Sequence, residues 1–205
     1  MIMSGHDSTV AIVDDDKFVR EALIELLDTV GYKSREFSNA SEFLQEFDQS
    51  EISCILLDIR MLGISGIELQ HILNDMQIPA PIIIMTGHGD ITMAVQAMKD
   101  GACDFIQKPF RDQELLDAVS KALEINAINA KKINKDKEIN ERISLLTQRE
   151  RQVIDYVLDG MSNKLIAREL GVSDRTVEIH RSHAMKKLKV NSVAELVKVM
   201  IFDSC

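Results

Sequence analysis

The sequence predicts an α/β domain with a five-stranded parallel sheet, followed by a smaller domain made of helices. Three observations support this fold class. Over roughly the first 125 residues, short apolar runs alternate with longer segments of helical period, as in repeated strand–helix units. The apolar run 55–57 stops at Asp58, which is typical of a central strand buried on both faces. From residue 147 onward, helices follow one another, each preceded by a capping residue.

Five strands and five helices are predicted in strict alternation in the first domain. The strand candidates are short and mostly apolar: 9–13, 32–37, 54–58, 82–86 and 103–107. The helix candidates are roughly 17–30, 40–48, 66–75, 91–99 and a helix from 112 onward. Gly31 and Gly101 fall just past helix ends, where a left-handed backbone favours glycine. Parallel strands with helices on both faces indicate a flavodoxin-like doubly wound (βα)5 sheet, in which the first and third strands are neighbours.

A long, helix-biased connector is expected between the two domains. Its first part keeps an apolar face, but residues 131–138 are almost all polar, as in a solvated helical linker. The spacing of Ile125, Ile139 and Leu146 leaves a coiled coil open as an alternative, although Lys132 interrupts it. The predicted divisions are a first domain at 1–125, a helical linker at 126–142 and a second domain at 143–205.

The second domain is predicted to hold three successive helices in helix-turn-helix order. Thr147 and Glu150 form a capping box, and Ser162 and Ser173 stand where they can cap the next two helices. Apolar residues at helical spacing predict the core: Val153, Ile154, Val157 and Leu158 on the first helix, Leu165, Ile166 and Leu170 on the second, and Val177, Ala184 and Leu188 on the third.

Composition and charge also divide the chain. At 205 residues, 45% of them hydrophobic and 28% charged, the chain has room for two small domains. Residues 1–124 carry 22 acidic and 9 basic side chains, whereas residues 125–205 carry 11 acidic and 15 basic ones. The formal net charge of −9 therefore combines an acidic first part with a basic second part. Only the second part suits a polyanionic partner.

The same composition excludes several protein classes. No apolar run approaches the roughly 18 residues that cross a bilayer, so we expect a cytoplasmic protein without membrane contact. We interpret Cys54, Cys103 and Cys205 as free thiols in a reducing compartment. His180 and His183 share one face of a predicted helix, but no cysteine or carboxylate completes a zinc set with them.

Charged and hydroxyl side chains stand at the carboxyl ends of the predicted strands, where α/β sheets bind their ligands. Asp14 and Asp15 follow the first strand, Asp58 ends the third, Thr86 ends the fourth and Lys108 follows the fifth. Crowded carboxylates repel one another unless they hold a cation, and oxygen ligands favour Mg²⁺. Acids, Mg²⁺ and a lysine together suit a phosphoryl group. We expect Asp58 to be the nucleophile, because it stands alone on a central strand.

The residues at these strand ends resemble a known family. The segments 13–16 (Val-Asp-Asp-Asp), 57–61 (Leu-Asp-Ile-Arg-Met), 85–89 (Met-Thr-Gly-His-Gly) and 108–110 (Lys-Pro-Phe) are similar to the receiver domain of two-component response regulators. The resemblance covers about residues 8–125. One position departs from the family, because Leu62 stands where the family usually has proline after Arg-Met. This departure leaves the rigidity of the loop and the lifetime of the phosphoryl group open.

The receiver resemblance implies a role for each matching residue. Asp58 would accept the phosphoryl group, with Thr86 and Lys108 binding its oxygens. Asp15 and Asp58 would bind Mg²⁺ directly, Asp14 through water, and Arg60 through its main-chain carbonyl. Phe105 would change rotamer with Thr86, and the Lys108–Pro109 bond would be cis. His88, in the adjoining loop, is interpreted as a solvated side chain.

The second domain carries a second resemblance. The segments 147–153, 163–170 and 173–188 are similar to the LuxR-type DNA-binding domain, so the whole chain resembles FixJ-like regulators. The resemblance implies a four-helix domain, in which a fourth helix at about 192–202 would serve dimerisation. Arg175, Ile179, Ser182 and Lys186 recur on the outward face of the third helix, which fits the major groove. The residues expected at DNA are Asn163, Lys164, Arg175, Thr176, Glu178, Ile179, Arg181, Ser182, Lys186 and Lys187.

The leading interpretation is a phosphorylation-controlled transcription factor that is not an enzyme. It implies Mg²⁺ as cofactor, and a sensor histidine kinase, promoter DNA and RNA polymerase as partners, with a homodimer formed on phosphorylation. A hydrolase of the aspartyl-phosphate type is the rival, because an Asp nucleophile with Mg²⁺ also serves phosphatases. Those enzymes generally carry the nucleophile on the first strand, which disfavours the rival here. A regulator that no longer accepts phosphate is the third alternative.

Overall fold

The computed structural model describes residues 8–48, 51–87 and 91–201, without the side chains of Ile91 and Ile201. It divides between residues 130 and 131 into two compact units, called here the first unit and the second unit. The predicted domain limits at 125 and 142 stay predictions. His88 and Cys205 lie outside the described residues. Within the described ranges, no helix combines the length and the apolar character needed to cross a membrane.

The first unit is a parallel sheet with helices on both faces, which confirms the predicted flavodoxin-like fold. Its strands lie in the order β2-β1-β3-β4-β5. The strands are β1 (Thr9–Val13), β2 (Lys33–Phe37), β3 (Ile52–Asp58), β4 (Ile82–Thr86) and β5 (Asp104–Gln107). The helices are α1 (Lys17–Thr29), α2 (Ala40–Glu46), α3 (Gly66–Asp75), α4 (Ile91–Lys99) and α5 (Asp112–Ser144), the last of which runs past residue 130.

Burial explains the place of each strand in the sheet. The apolar strands β1, β3 and β4 are almost fully buried and occupy the centre, whereas β2 and β5 are partly exposed at the edges. Residues of α2, α3 and α4 pack on one face of the sheet, and residues of α1 and α5 pack on the other. In the register of the strands, Val13 pairs with Leu57 and Asp58 pairs with Met85. The ends of β1, β3 and β4 therefore meet at one edge.

Local backbone geometry agrees with the sequence signals. Gly31 and Gly101 have φ values of 77° and 97°, in the left-handed region that was predicted for them. The Lys108–Pro109 peptide bond is cis, as the receiver resemblance implies. Cys54 and Cys103 are free thiols. Burial raises the pKa of both, that of Cys103 to about 11, so both stay protonated at neutral pH.

The second unit is built from helices around its own apolar core. The helices are α6 (Gln148–Leu158), α7 (Asn163–Leu170), α8 (Asp174–Leu188) and α9 (Val193–Ile201). The predicted capping box of Thr147 and Glu150 is present, and Ser162 and Ser173 cap α7 and α8 as expected. Ile139 and Ile143, near the end of α5, are buried in the same core, against which Leu146 packs. Packing within this unit thus accounts for the apolar spacing of Ile139 and Leu146 without a coiled coil.

One predicted core residue of the second unit is wrong. Leu165 was expected to face inward, but 49% of its surface is exposed. The buried residues of α7 are Ile166 and Ala167, and Leu170 packs against the core. In a helix of eight residues these three define the inward stripe, and Leu165 lies about 100° around the helix from Ile166. The pattern of apolar residues alone did not distinguish the two sides of so short a helix.

Gly66 begins α3 at a point where the helix touches the end of β3. A Cβ atom at this position would lie 2.0 Å from the main-chain oxygen of Asp58, and the Gly66 amide donates to the Ile59 carbonyl at 3.0 Å.

We therefore expect Gly66→Ala to lower the free energy of opening the first unit by roughly 1–3 kcal/mol. Amide hydrogen exchange of β3 measures it. Asp75→Ala, on the exposed side of α3, is the control and should change little; equal protection in both variants would contradict the prediction.

Candidate functional site

Three carboxylates meet at the carboxyl edge of the sheet. One oxygen from each of Asp14, Asp15 and Asp58 lies within 4.8 Å of the others. Asp14 and Asp58 are buried, whereas Asp15 is exposed. The doubly wound topology causes the meeting, because β1 and β3 are adjacent and their ends share one edge. The structure thus brings these side chains together as the sequence predicted.

Lys108 joins two of these carboxylates. Its Nζ donates to Asp14 Oδ2 at 2.6 Å and to Asp58 Oδ1 at 2.5 Å. Burial raises the pKa of Asp58, and the nearby Asp14 adds to this effect against the pull of Lys108. Burial would lower the pKa of Lys108, but its bonds to Asp14 and Asp58 outweigh it and raise that pKa. The lysine is therefore a fixed cation, and Asp58 is a carboxylate whose charge is only partly compensated.

Main-chain donors fix the carboxylates from the other side. The Asp16 amide donates to Asp14 Oδ1 at 2.9 Å, and the Arg60 amide donates to Asp58 Oδ2 at 2.8 Å. The Leu62 amide donates to Asp15 Oδ2 at 3.2 Å. Proline has no amide hydrogen, so the bond from Leu62 is one that the usual residue of the receiver family lacks. Sequence reasoning noted the departure at this position but not its hydrogen bond.

Arg20 is a second residue of the site that sequence reasoning missed. Its Nη1 donates to the main-chain oxygen of Asp14 at 2.8 Å, and its Nε donates to Glu36 Oε2 at 2.8 Å. It thereby ties the loop after β1 to β2. A lone arginine on an amphipathic helix gives no signal of this role in the sequence, because its partners lie on two other elements.

Thr86 and Phe105 lie beside the cluster on neighbouring strands. Thr86 is buried, its Oγ1 donates to the Gly87 carbonyl at 3.3 Å, and its own carbonyl accepts from the Lys108 amide at 2.7 Å. Thr86 pairs with Gln107, two residues after Phe105, so the side chains of Thr86 and Phe105 share one face of the sheet. Phe105 is 41% exposed. The two side chains thus lie on the same face of adjacent strands, that of Thr86 buried and that of Phe105 partly at the surface.

The residues of the cluster fit a magnesium ion. All the side-chain donors are carboxylate oxygens, which suit a hard cation. Three carboxylates face one ammonium group, so the cluster keeps a formal negative excess that a divalent cation would neutralise. Asp15, the exposed member, stands where a ligand can arrive from solvent.

In the second unit, α8 presents an exposed polar face. Arg175, Glu178, Ile179, Ser182 and Lys186 are exposed on it. Arg175, Ile179, Ser182 and Lys186 are the residues that the sequence predicted to face outward, and Glu178 lies beside them. The same face borders a surface depression lined by Asn163, Glu178, Arg181, Ser182, Met185, Lys186, Val190 and Asn191.

Other residues expected at DNA have partners within the unit. Arg181 Nη1 donates to Asn163 Oδ1 at 3.0 Å and so connects α8 with α7. The Thr176 hydroxyl lies 2.8 Å from Ser173 Oγ, the cap of α8. Lys164 is exposed on α7. Asn163, Thr176 and Arg181 thus have part of their hydrogen-bonding capacity already in use.

Lys187 has an internal partner that the sequence did not reveal. Its Nζ donates to Glu150 Oε2 at 2.6 Å, and Glu150 is only 4% exposed. Burial would raise the pKa of Glu150, but the hydrogen bonds from Lys187 and Thr147 outweigh it and hold the pKa at about 2. Capping-box chemistry predicted the Thr147 contact, whereas the lysine arrives from a helix 37 residues later in the chain.

Comparisons with known families match both units. The model of the response regulator receiver domain matches residues 10–120, and the model of the luxR family of bacterial regulatory proteins matches residues 144–200. Residues 10–120 contain the carboxylate cluster together with Thr86, Phe105 and Lys108. Residues 144–200 contain the capping box and the exposed face of α8.

Known proteins also resemble the chain over nearly its full length. The response regulator protein TodT of Pseudomonas putida is 43% identical over 96% of this chain and 87% of its own. The transcriptional regulatory protein FixJ of Bradyrhizobium diazoefficiens is 41% identical over 97% of this chain and 96% of its own. The solved structure of the response regulator StyR is similar with a TM-score of 0.84 and 43% identity, over 95% of this chain and 98% of that one.

The low pKa of Glu150 predicts how acid acts on the second unit. The ordinary value is 4.5 and the folded value about 2, so the stabilisation is fully present above about pH 4.5 and is lost as the pH falls toward 2. The shift corresponds to roughly 3 kcal/mol. We expect the stability advantage of the wild type over Glu150→Gln to shrink over this range, as measured by urea unfolding at several pH values. Glu169→Gln, an exposed change, is the control; a constant advantage of wild type over Glu150→Gln would refute the prediction.

Proposed function

Because the chain belongs to the response regulators that join a receiver domain to a LuxR-type DNA-binding domain, we propose that phosphoryl transfer to Asp58 controls its binding to promoter DNA. The chain is a FixJ-like transcriptional regulator, a family distinct from classical enzymes. One observation carries the proposal. Asp58 lies at the end of β3, bound to Lys108, and one of its carboxylate oxygens is within 4.8 Å of oxygens of Asp14 and Asp15.

The chemistry proposed for Asp58 is a single displacement at phosphorus. A carboxylate oxygen of Asp58 attacks the phosphorus of a phosphohistidine on a sensor histidine kinase. The new O–P bond forms as the P–N bond breaks, and the released imidazole takes up a proton. Asp15, Asp58 and the main-chain carbonyl of Arg60 would hold Mg²⁺ directly and Asp14 would hold it through water, and the ion would supply positive charge for the phosphoryl oxygens. Lys108 is placed to bind a phosphoryl oxygen with its ammonium group once its hydrogen bond to Asp58 is broken.

We favour this regulator over the other two alternatives. An aspartyl-phosphate hydrolase needs a further acid or base for a substrate, and the family of this chain is one of regulators. A receiver that does not accept a phosphoryl group needs no such charge arrangement, yet here Asp14, Asp58 and Lys108 form two partly buried ion pairs. The buried pairs support retention of the acceptor site, because isolated buried carboxylates are costly.

Thr86 and Phe105 are proposed to convert phosphorylation of Asp58 into a conformational change at the surface of the first unit. When the Thr86 hydroxyl binds a phosphoryl oxygen, its present contact with the Gly87 carbonyl is lost. Phe105 can then move inward, which changes the surface formed by α4 and β5. Met93, Val95 and Met98 are exposed on α4, so this surface is apolar enough to serve a homodimer. The result is a population shift toward the dimer.

The second unit is proposed to read DNA with α8 in the major groove. Arg175 and Lys186 would contact phosphates, whereas Glu178, Ile179 and Ser182 would reach base edges. Glu can accept a hydrogen bond from cytosine, and Ile can touch a thymine methyl group. Four further residues would contact the sugar-phosphate backbone of the DNA beside α8: Asn163, Lys164, Thr176 and Arg181. A dimer so placed would present its promoter complex to RNA polymerase.

Replacing Asp58 tests the chemistry. We expect the wild type to gain one phosphate from a small phosphodonor when Mg²⁺ is present, and Asp58→Asn to gain none, because the amide is a poor nucleophile. Intact-mass measurement counts the added groups. Asp75→Asn, at an exposed aspartate of α3, is the matched control and should be modified like the wild type. Equal modification of Asp58→Asn would move the nucleophile to another residue.

Replacing Thr86 tests the coupling. Thr86→Ala removes the hydroxyl and leaves the carboxylates and Lys108, so we expect phosphorylation to persist. The phosphate-dependent increase in dimer should fall at least about fivefold, a loss on the order of 1 kcal/mol of coupling. Light scattering on samples of matched phosphate content measures the dimer. Thr86→Ser, which keeps the hydroxyl, is the control. Full dimerisation of phosphorylated Thr86→Ala would disprove the coupling.

Replacing residues on α8 tests the DNA face. Glu178→Ala and Ile179→Ala should change the sequence that the phosphorylated chain selects from random duplexes, because each removes a contact to a base edge. The wild type should select inverted half-sites about one helical turn apart, as a symmetric dimer requires. Glu169→Ala, on the exposed side of α7, is the control and should keep the wild-type consensus. An unchanged consensus from both α8 variants would mean that another face of the helix enters the groove.

A further inference from the structure

We infer that Lys187 is a positioning residue, which fixes α8 on the capping box of α6, and that it does not neutralise a DNA phosphate. The inference rests on the proposed DNA-binding function of α8. It departs from the sequence-based expectation, which placed Lys187 with Arg175 and Lys186 among the residues expected at DNA. The contact with Glu150 and the place of Lys187 on the helix carry the inference.

The first observation is the set of donors on a single oxygen. Glu150 Oε2 accepts from Lys187 Nζ at 2.6 Å, from the Thr147 amide at 2.8 Å and from the Thr147 hydroxyl at 2.9 Å. The Glu150 amide in turn donates to Thr147 Oγ1 at 3.3 Å. Lys187 is thus an additional member of the capping box. It connects the first turn of α6 with the last turn of α8.

The second observation is where Lys187 lies on α8. It directly precedes the buried Leu188 and follows the buried Ala184 by three residues, so it borders the inward stripe. The side chain of Lys187 is 35% exposed and partly covered, whereas Lys186, the residue before it, is exposed. Two consecutive lysines of the same helix therefore differ in their surroundings: one faces solvent, and the other reaches back over the core.

The third consideration is the free-energy cost of moving the Lys187 amino group away from Glu150. Glu150 is 4% exposed, so taking Lys187 away would leave a buried carboxylate without its cation. Breaking such a pair from one side is far more costly than losing an exposed ion pair. A DNA phosphate would have to supply that energy to capture Lys187. Lys186 carries no such penalty, because its side chain is already in solvent.

Together these observations assign different roles to the two adjacent lysines. Lys186 contributes charge to the DNA-facing surface of α8. Lys187 sets the direction in which that surface points, because it clamps the end of α8 to the start of α6. Arg181, bound to Asn163, makes a similar link from α8 to α7. The recognition face is then held by side-chain contacts to both preceding helices of the unit.

The test compares the salt dependence of DNA binding in matched variants. The full chain, treated with a small phosphodonor and Mg²⁺, is titrated with the duplex that the wild type selects from a random pool. Lys186→Met should lower the slope of log affinity against log salt by about one, because one phosphate contact is lost. Lys187→Met should keep the wild-type slope and lower the affinity roughly tenfold at every salt concentration. Far-UV circular dichroism at the assay temperature confirms that each variant is folded.

A double-mutant cycle separates positioning from independent effects. Glu150→Gln should weaken binding like Lys187→Met, and the combined variant should bind no more weakly than either single variant. Lys187→Arg, which keeps a cation for Glu150, should bind within about twofold of the wild type. A slope lowered by one in Lys187→Met, or losses that multiply in the combined variant, would overturn the inference. If the wild type selects no duplex, the proposed function fails instead, which is a different result.

Discussion

The bridge that Lys108 makes between Asp14 and Asp58 is the contact on which the first unit depends most. It joins residues 94 and 50 positions apart in the sequence, at the ends of three different strands. Without a cation, carboxylates crowded at one sheet edge would repel one another. The lysine holds them together and leaves a negative excess, which is the electrostatic condition for binding a divalent cation. Structure and proposed chemistry thus follow from the same charge arrangement.

The second unit repeats this device for a different purpose. Glu150 is a buried carboxylate fixed by a lysine that is distant in the sequence, as Asp14 and Asp58 are. In the first unit the lysine binds two carboxylates, with that of Asp15 nearby, and the unmatched negative charge supports chemistry. In the second unit one lysine meets one carboxylate whose other donors are local, so the charge is balanced and the pair serves geometry. The number of carboxylates around the lysine distinguishes the two roles.

The sequence predicted the fold and the members of the carboxylate cluster well, because both depend on local signals. Buried strands are continuous apolar runs, and capping serines and Thr147 stand where hydrogen-bond chemistry needs them. It predicted less well where the answer depends on contacts between distant elements. Leu165 on a short helix, the Glu150 partner of Lys187 and the Arg20 contact with Asp14 are examples. No local pattern names the partner of a long charged side chain, because that partner is set by tertiary packing.

In the proposed mechanism, the phosphoryl group on Asp58 and the DNA on α8 favour the same state of the chain. Native mass spectrometry of one partly phosphorylated sample, mixed with limiting duplex, tests this claim directly because it counts chains, phosphates and duplexes in each complex. We expect complexes with DNA to contain two chains and to be enriched in phosphate relative to free protein. An equal phosphate content in free and DNA-bound chains would contradict it.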